Sequence, residues 1–378
     1  MKRNKVISVC HVTSAHSRYD GRIFLKQCSS LAKNNYKVTL LCCDTLDDEV
    51  KNKVNIVSIN KQFSSLRDRI FNSKRMLKKM CLEINADIYQ FHDPDLLSLA
   101  LYMKRKGKVV IFDSHEDYPS LFLEKQSIPV FLRKCLSSVY SLYEKHVFKK
   151  IDGVICVADY QLDRIKRINS NAVIITNYPI IDNDFKKNKS VKNTLCFAGG
   201  VRADWNHDTV IKAIEDIDDV KYMVAGSYKE SYLETLKSYK GFEKAEFLGK
   251  LDKKGVKDLY SNSNVGIALC SYRPNTCYKK GSLGNTKIFE YMMYELPVIF
   301  TDFDVFKNIL KEGKFGIAVN PYSVDEVKDA IKYLIDNPDV ALKMVKTGRM
   351  LVEKKYNWDT QIPILLSVYK KLVRKNEK

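Results

Sequence analysis

The sequence predicts an α/β protein of two doubly wound, Rossmann-like domains, and three observations carry that prediction. Short apolar runs alternate with longer amphipathic stretches, as in β-α-β units. The 378 residues suit two domains of ordinary size better than one core. Between two series of such runs, residues 177 to 193 (NYPIIDNDFKKNKSVKN) are polar, basic and unperiodic, which reads as an interdomain linker.

In the first series the expected strands are residues 5 to 12, 37 to 43, 54 to 59, 87 to 92, 108 to 115, 153 to 158 and 172 to 177. Ile23, Leu25, Cys28 and Leu31 put apolar groups on one helix face between the first two. The second series comprises residues 194 to 200, 220 to 227, 245 to 250, 265 to 270, 296 to 301 and 315 to 320. The predicted domains are therefore 1 to 177 and 178 to 360. Ile364, Leu365, Val368 and Leu372 recur at helical spacing, so 361 to 378 is expected to be a helix packing back on the first domain. Two such domains in tandem put a crevice between the carboxyl ends of their sheets, where these folds bind ligands.

Hydrophobic residues make up 45% and charged residues 29%, a globular balance. No apolar run is long enough to span a bilayer and the amino terminus does not read as a signal peptide, so a cytoplasmic protein is expected. The ten cysteines show no CxxC pair and no zinc spacing, and Cys10, Cys42, Cys156, Cys196 and Cys270 sit in strand-like runs as core thiols. The net charge is +19, about +12 of it in residues 1 to 177 and about +7 in the remainder. That excess favours an anionic partner: nucleic acid, acidic phospholipid or a phosphorylated substrate. No nucleic-acid recognition motif is present, so a basic nucleic-acid-binding or scaffold protein is the lesser reading. The basic, apolar segments 64 to 84 and 128 to 151 could lie on an anionic bilayer, or turn their apolar faces into the core.

The segment 282 to 301 (SLGNTKIFEYMMYELPVIFT) is the most informative. Asn285 reads as an N-cap, residues 286 to 294 as an amphipathic helix, and LPVIFT as the next strand. The amides at Asn285, Thr286 and Lys287 could hold a diphosphate, with Lys287 adding charge and Glu290 accepting from ribose hydroxyls. The same pattern also describes a capped surface helix with a solvated Lys and Glu.

NTKIFEYMMYELPVI resembles the donor-binding motif of retaining glycosyltransferases of family four, enzymes of the GT-B fold, and within them bacterial enzymes of surface-polysaccharide assembly such as O-antigen or capsule. HVTSAHSRYDGRIFLKQCSSLAKNNYKVTLLC, DIYQFHDPDLL, VVIFDSHEDYP, ITNYP and FAGGVR are similar to further segments of that family, so the likeness spans nearly the whole chain. The family motif carries two glutamates eight positions apart. Glu290 matches the second, at the ribose, whereas Ser282 stands in the place of the first, at the donor sugar.

The resemblance implies that His115 lies beside the donor sugar, with Glu116 or Asp117 either orienting its ring or capping the next helix. It implies a glycine-containing loop near donor and acceptor at Gly21, with Asp20 and Arg22 addressing the acceptor. Arg202 lies one position from the first of a basic pair that neutralises the leaving diphosphate, and Trp205, Asn206 or His207 occupies the place of the second; Lys287 could compensate. Gly249 and Lys250 resemble the nucleobase-side loop. Asp93 and Asp95 form the DxD by which other glycosyltransferases hold a divalent metal, but GT-B enzymes do not use it so, and no essential metal or cofactor is expected.

The expected activity is transfer of a hexosyl residue, with retention, from a nucleotide-sugar, UDP-linked in preference to GDP-linked, to a polyprenyl-diphosphate-linked saccharide. The expected place is the inner face of the plasma membrane, peripherally bound. A GT-B nucleotide-sugar epimerase is the alternative enzyme, and it needs the full set of site carboxylates.

Overall fold

The computed structural model describes residues 6 to 376 apart from Gln62, Ser64, Gln126 and Lys189. Lys5 of the first expected strand, Ser64 at the head of segment 64 to 84, Lys189 in 177 to 193 and the last two residues of the closing helix lie outside it. The chain divides into two compact units, residues 1 to 177 with 358 to 378, and residues 178 to 357.

Each apolar run forms a strand because helices cover both faces of its sheet, which asks for near-continuous apolar sequence. The first unit has eight strands: β1 (Ser8–Val12), β2 (Lys37–Cys42), β3 (Glu49–Lys51), β4 (Val54–Ser58), β5 (Ile88–Phe91), β6 (Val109–Ser114), β7 (Gly153–Cys156) and β8 (Ala172–Ile174). Their order is β3-β4-β2-β1-β5-β6-β7-β8, parallel except for β3 against β4. One face packs around Tyr89, Phe91, Phe112 and Phe148. The other packs around Phe24, Ile111, Trp358 and Tyr369. β3 is an addition to the expected set: EVK is short and half-exposed, so no apolar pattern marks it.

The second unit is a six-stranded parallel sheet of β9 (Thr194–Ala198), β10 (Lys221–Ala225), β11 (Ala245–Gly249), β12 (Val265–Ala268), β13 (Val298–Thr301) and β14 (Gly316–Val319). The order is β11-β10-β9-β12-β13-β14, with the reversal between β9 and β12 that makes a doubly wound sheet. The described residues between 178 and 193 are irregular, as expected, but they belong to this unit. Lys187 anchors them, its ammonium donating to the carbonyls of Tyr260 and Ser263, and burial pushes its pKa down to about 8.

The chain returns to the first unit at Trp358, slightly before the expected residue 361. Trp358 donates from Nε1 to Ser30 Oγ at 2.9 Å. The closing helix, Ile362–Asn376, buries Leu365, Val368, Tyr369 and Leu372. Ile364, expected on that face, is exposed, and Tyr369 takes the remaining place at the i+4 position from Leu365.

The two basic segments have different fates. The helix Lys74–Ile84 turns Leu77 and Cys81 into the core. The helix Val130–Phe148 buries only Glu144, Val147 and Phe148, and leaves Val130, Phe131, Val139 and Leu142 well exposed. Among the described residues no helix is long and apolar enough to cross a membrane. The cysteines expected in the core, Cys10, Cys42, Cys156, Cys196 and Cys270, are all buried and unpaired.

Candidate functional site

The candidate residues form two groups, one at the carboxyl ends of each sheet. In the second unit a cavity of 320 Å³ opens where β9, β10 and β11 end, lined among others by Gly199, Gly200, Ser227, Lys250, Tyr260 and Glu290. Its rim is bare backbone because the strand ends crowd together. A Cβ on Gly226 would collide with the carbonyl oxygen of Gly199, so only glycine fits there. Gly226 N–H donates to the carbonyl of Gly249, which takes a left-handed φ of +67°. Glu290 accepts a hydrogen bond from the Tyr260 hydroxyl at 3.2 Å, which leaves its other carboxylate oxygen for a ligand.

The helix carrying Glu290 spans Lys287–Met293, and its N-cap is Thr286, not Asn285; neither side chain caps it. The amides expected to hold phosphate are partly engaged. Asn285 N–H donates to Ser282 O at 3.1 Å and Thr286 N–H to Gly284 O at 2.9 Å, while the Asn285 side-chain nitrogen has no partner. Lys287 points inward. Its ammonium donates to the Ala198 carbonyl and stands 4.7 Å from the centre of the Phe197 ring and 5.4 Å from that of Trp205. Burial lowers its pKa against the pull of Glu290.

Arg202 is exposed and forks onto Asp204 at 2.9 and 3.0 Å. None of the residues expected beside it can serve as its basic partner. Trp205 lies against Phe197, Asn206 donates to the Leu269 carbonyl, and His207 is buried against the Tyr222 hydroxyl at 2.9 Å, with burial lowering its pKa to about 3. The second guanidinium comes from Arg273, whose Nη1 lies 2.5 Å from Asp204 Oδ2, the oxygen that Arg202 Nη2 also engages. No motif marks Arg273 in the sequence; it follows β12, and only the adjacency of β9 and β12 brings it to Arg202.

In the first unit, four of the protein's six histidines gather where β1, β5 and β6 end. His115 Nε2 lies 3.1 Å from His92 Nδ1 and 3.2 Å from Asp113 Oδ2. His92 continues through Nε2 to His11 Nδ1 at 3.0 Å, and His11 Nε2 lies 3.3 Å from the Tyr369 hydroxyl. Burial lowers the pKa of both His11 and His92. On the other side of His115, the His16 ring stands 4.7 Å away, its nitrogens 3.4 Å from Asp93 and 3.6 Å from Asp20. Burial opposes the charge on His16, but Asp20, Asp93 and Asp113 together raise its pKa.

The ring of His115 is therefore held by Asp113, not by Glu116 or Asp117. Asp117 pairs instead with Arg164 at 2.8 Å and opens the helix Tyr118–Glu124. Arg22 does not face an acceptor. It is buried, and forks onto Asp113 at 2.6 and 3.0 Å while donating to the Ile175 carbonyl at 2.8 Å. Asp20 caps the helical turns that follow, accepting from the amides of Arg22 and Ile23 at 2.8 Å each. Gly21 begins those wide, π-type turns without a left-handed φ, and nothing approaches its Cβ position, so close backbone approach does not explain this glycine. The DxD is internal too. Asp93 accepts from Thr13 Oγ1 and Ser14 N at 2.7 Å, and Asp95 from Ser14 Oγ at 2.8 Å, so both brace the loop after β1. His92, His115 and Asp113 make a triangle of the size a small cation would ask for. Asp113 also carries the Arg22 guanidinium.

Residues 180 to 351 match the family model described as Glycosyl transferases group 1, and residues 21 to 184 match Glycosyltransferase Family 4. Both units are glycosyltransferase domains. The transferase is 23% identical over 325 residues to phosphatidyl-myo-inositol mannosyltransferase of Mycobacterium leprae, covering 80% of this chain and 78% of the relative. Its fold is GT-B. Sucrose-phosphate synthase of Thermosynechococcus elongatus superposes with a TM-score of 0.77 at 14% identity, over 98% of this chain and 100% of that one. The Anabaena protein HepE, solved with UDP and glucose, superposes with a TM-score of 0.69 at 11% identity, over 97% of the transferase and 100% of HepE.

Proposed function

We propose that this glycosyltransferase moves a hexosyl residue, with retention at the anomeric carbon, from a nucleotide-sugar to a polyprenyl-diphosphate-linked saccharide in surface-polysaccharide assembly. The observation that carries the donor half is the cavity of the second unit. Its glycine rim lets a diphosphate lie against backbone, and Glu290 offers a free carboxylate oxygen to ribose hydroxyls. A UDP-sugar is preferred to a GDP-sugar, a choice supported by the UDP found in the structurally similar HepE. His115 acts at the donor sugar, and Arg202 with Arg273 answers the charge that grows on the leaving diphosphate. Lys287 contributes through the Ala198 carbonyl, by fixing the loop beside Gly199.

No essential metal enters this scheme, because the DxD carboxylates brace a loop and cations of the chain serve the diphosphate. The epimerase reading lacks a carboxylate at position 282, where Ser282 Oγ accepts from Gly284 N–H at 2.9 Å. The test is a transfer assay with a panel of UDP- and GDP-sugars and polyprenyl-diphosphate saccharides, with and without chelator. Transfer that survives chelation is the expected result. The absence of any transfer, or conversion of the donor without acceptor, would reject the proposal.

The acceptor's lipid places the enzyme at the inner face of the plasma membrane. The helix Val130–Phe148 supplies the surface: Phe131 and Leu142 stand exposed among Arg133, Lys134 and Lys145, a composition that lies on anionic headgroups. The wild type is expected to sediment with phosphatidylglycerol-containing vesicles, and the Phe131→Asp, Leu142→Asp double variant to lose about 100-fold or more in binding, since burying each apolar side chain contributes roughly 1.5–3 kcal/mol. Equal binding by both proteins would remove this helix from the membrane surface.

A further inference from the structure

We propose that Asp113 is a positioning residue that fixes His115 as the tautomer protonated at Nε2, so that Nδ1 is presented as an acceptor to a hydroxyl of the sugar or of the acceptor. The catalytic half of this inference rests on the transferase reading above; the tautomer itself does not.

Asp113 sits at the end of β6, fully buried, as the terminus of a one-way relay of donors. The Tyr369 hydroxyl of the closing helix donates to Gln90 Oε1 at 2.5 Å, and Gln90 Nε2 donates to Gln27 Oε1 at 2.5 Å. That order turns the Gln27 amide nitrogen toward Asp113 Oδ2, at 2.7 Å. Arg22 adds two more N–H donors to the same carboxylate. A carboxylate served in this way stays ionised and can only accept.

Oδ2 lies 3.2 Å from both His92 Nδ1 and His115 Nε2. An unprotonated ring nitrogen at His115 Nε2 would set its lone pair against the carboxylate, so this nitrogen carries hydrogen. The same argument puts a proton on His92 Nδ1, which donates to Oδ2 beside His115 while its Nε2 accepts from His11 Nδ1–H. Tyr369 gives its one proton to Gln90, so His11 Nε2 meets only the hydroxyl oxygen, at 3.3 Å, the one mismatch of this arrangement. The alternative, in which His92 Nδ1 accepts from His115, turns the His92 lone pair on Asp113 at 3.2 Å, and it too leaves His115 protonated at Nε2. His115 Nδ1 makes no hydrogen bond to the described residues, and a neutral imidazole so protonated has its lone pair there. His16 is pressed against the same ring and flanked by Asp20 and Asp93.

The test combines a spectrum with a double-mutant cycle on the intact chain. Long-range ¹H–¹⁵N correlation of histidine-labelled wild type, with His115→Ala used for assignment, is expected to show a pyrrole-type Nε2 and a pyridine-type Nδ1 at residue 115 near neutral pH. Asp113→Asn is expected to lower kcat about 10- to 100-fold, with the donor KM within about threefold, as loss of an orienting partner does. In a His115→Ala background the same substitution should cost less than about threefold, because Asp113 acts through the ring it holds. A pyridine-type Nε2 in the wild type overturns the inference. So does a folded Asp113→Asn enzyme with wild-type turnover, or an equal loss in the two backgrounds. If Asp113→Asn does not fold, the wild-type spectrum decides alone. Failure of the transferase reading would appear separately, as a wild type that binds no donor.

Discussion

Replacing His115 with alanine lowers kcat by about 100-fold or more, the usual cost of removing a positioned proton-handling group. Donor binding to the second unit stays within about threefold, because Glu290, Lys250 and the glycine rim belong to that unit alone. The separation follows from where the residue sits. His115 is held from behind by Asp113 and His92 and is only slightly exposed, at 13% of its side chain, so the part that reaches solvent is the part available to a substrate. Steady-state kinetics with the natural donor, paired with equilibrium binding of the nucleotide, separates the two effects. Unchanged kcat would remove His115 from the reaction.

The second large effect is on stability. Arg22→Met removes the one guanidinium that forks onto Asp113 and leaves a fully buried carboxylate with only neutral donors. Breaking a buried pair in this way costs about 3–5 kcal/mol, read as a lower midpoint in urea denaturation at neutral pH. The pH dependence has a definite sign. Burial alone would raise the pKa of Asp113, but Arg22, His115 and His92 hold it well below the usual carboxylate range. A depressed folded-state pKa contributes stability that is present above the unfolded value, near 4, and is lost as pH falls below it. Without Arg22 burial dominates and the carboxyl accepts a proton more readily, so the gap between variant and wild type is widest at neutral pH and narrows on acidification. A gap independent of pH would mean that Arg22 acts through packing.

Much of this organisation is legible in the sequence, and the exceptions share a cause. The strands at 108 to 115 and 296 to 301 are marked by their own residues, because a buried parallel strand must be apolar throughout. Glu290 and Lys287 stand out for a similar reason, since a helix start followed by a strand is a local pattern. What the sequence hides is pairing across distance. Arg22 reads as a loop residue that addresses an acceptor, and its partner Asp113 lies 91 residues away, adjacent only once β1, β5 and β6 are ordered. Arg273 is hidden in the same way behind Asp204, and Tyr369 behind Gln90. The shift from Asn285 to Thr286 is of another kind: a good capping residue type does not fix the helix start when no side chain makes the capping bond.

The claim on which the account stands is that the second unit holds a nucleotide-sugar with Glu290 at its ribose. Titration of the intact chain with UDP, GDP and their hexosyl derivatives, wild type beside Glu290→Ala, tests it most directly. Loss of hydrogen bonds to a charged group is worth roughly 1.5–3 kcal/mol, so the variant should bind its preferred nucleotide about 10- to 100-fold more weakly. Equal affinity in both proteins, or no binding of any of these nucleotides by the wild type, would contradict the account.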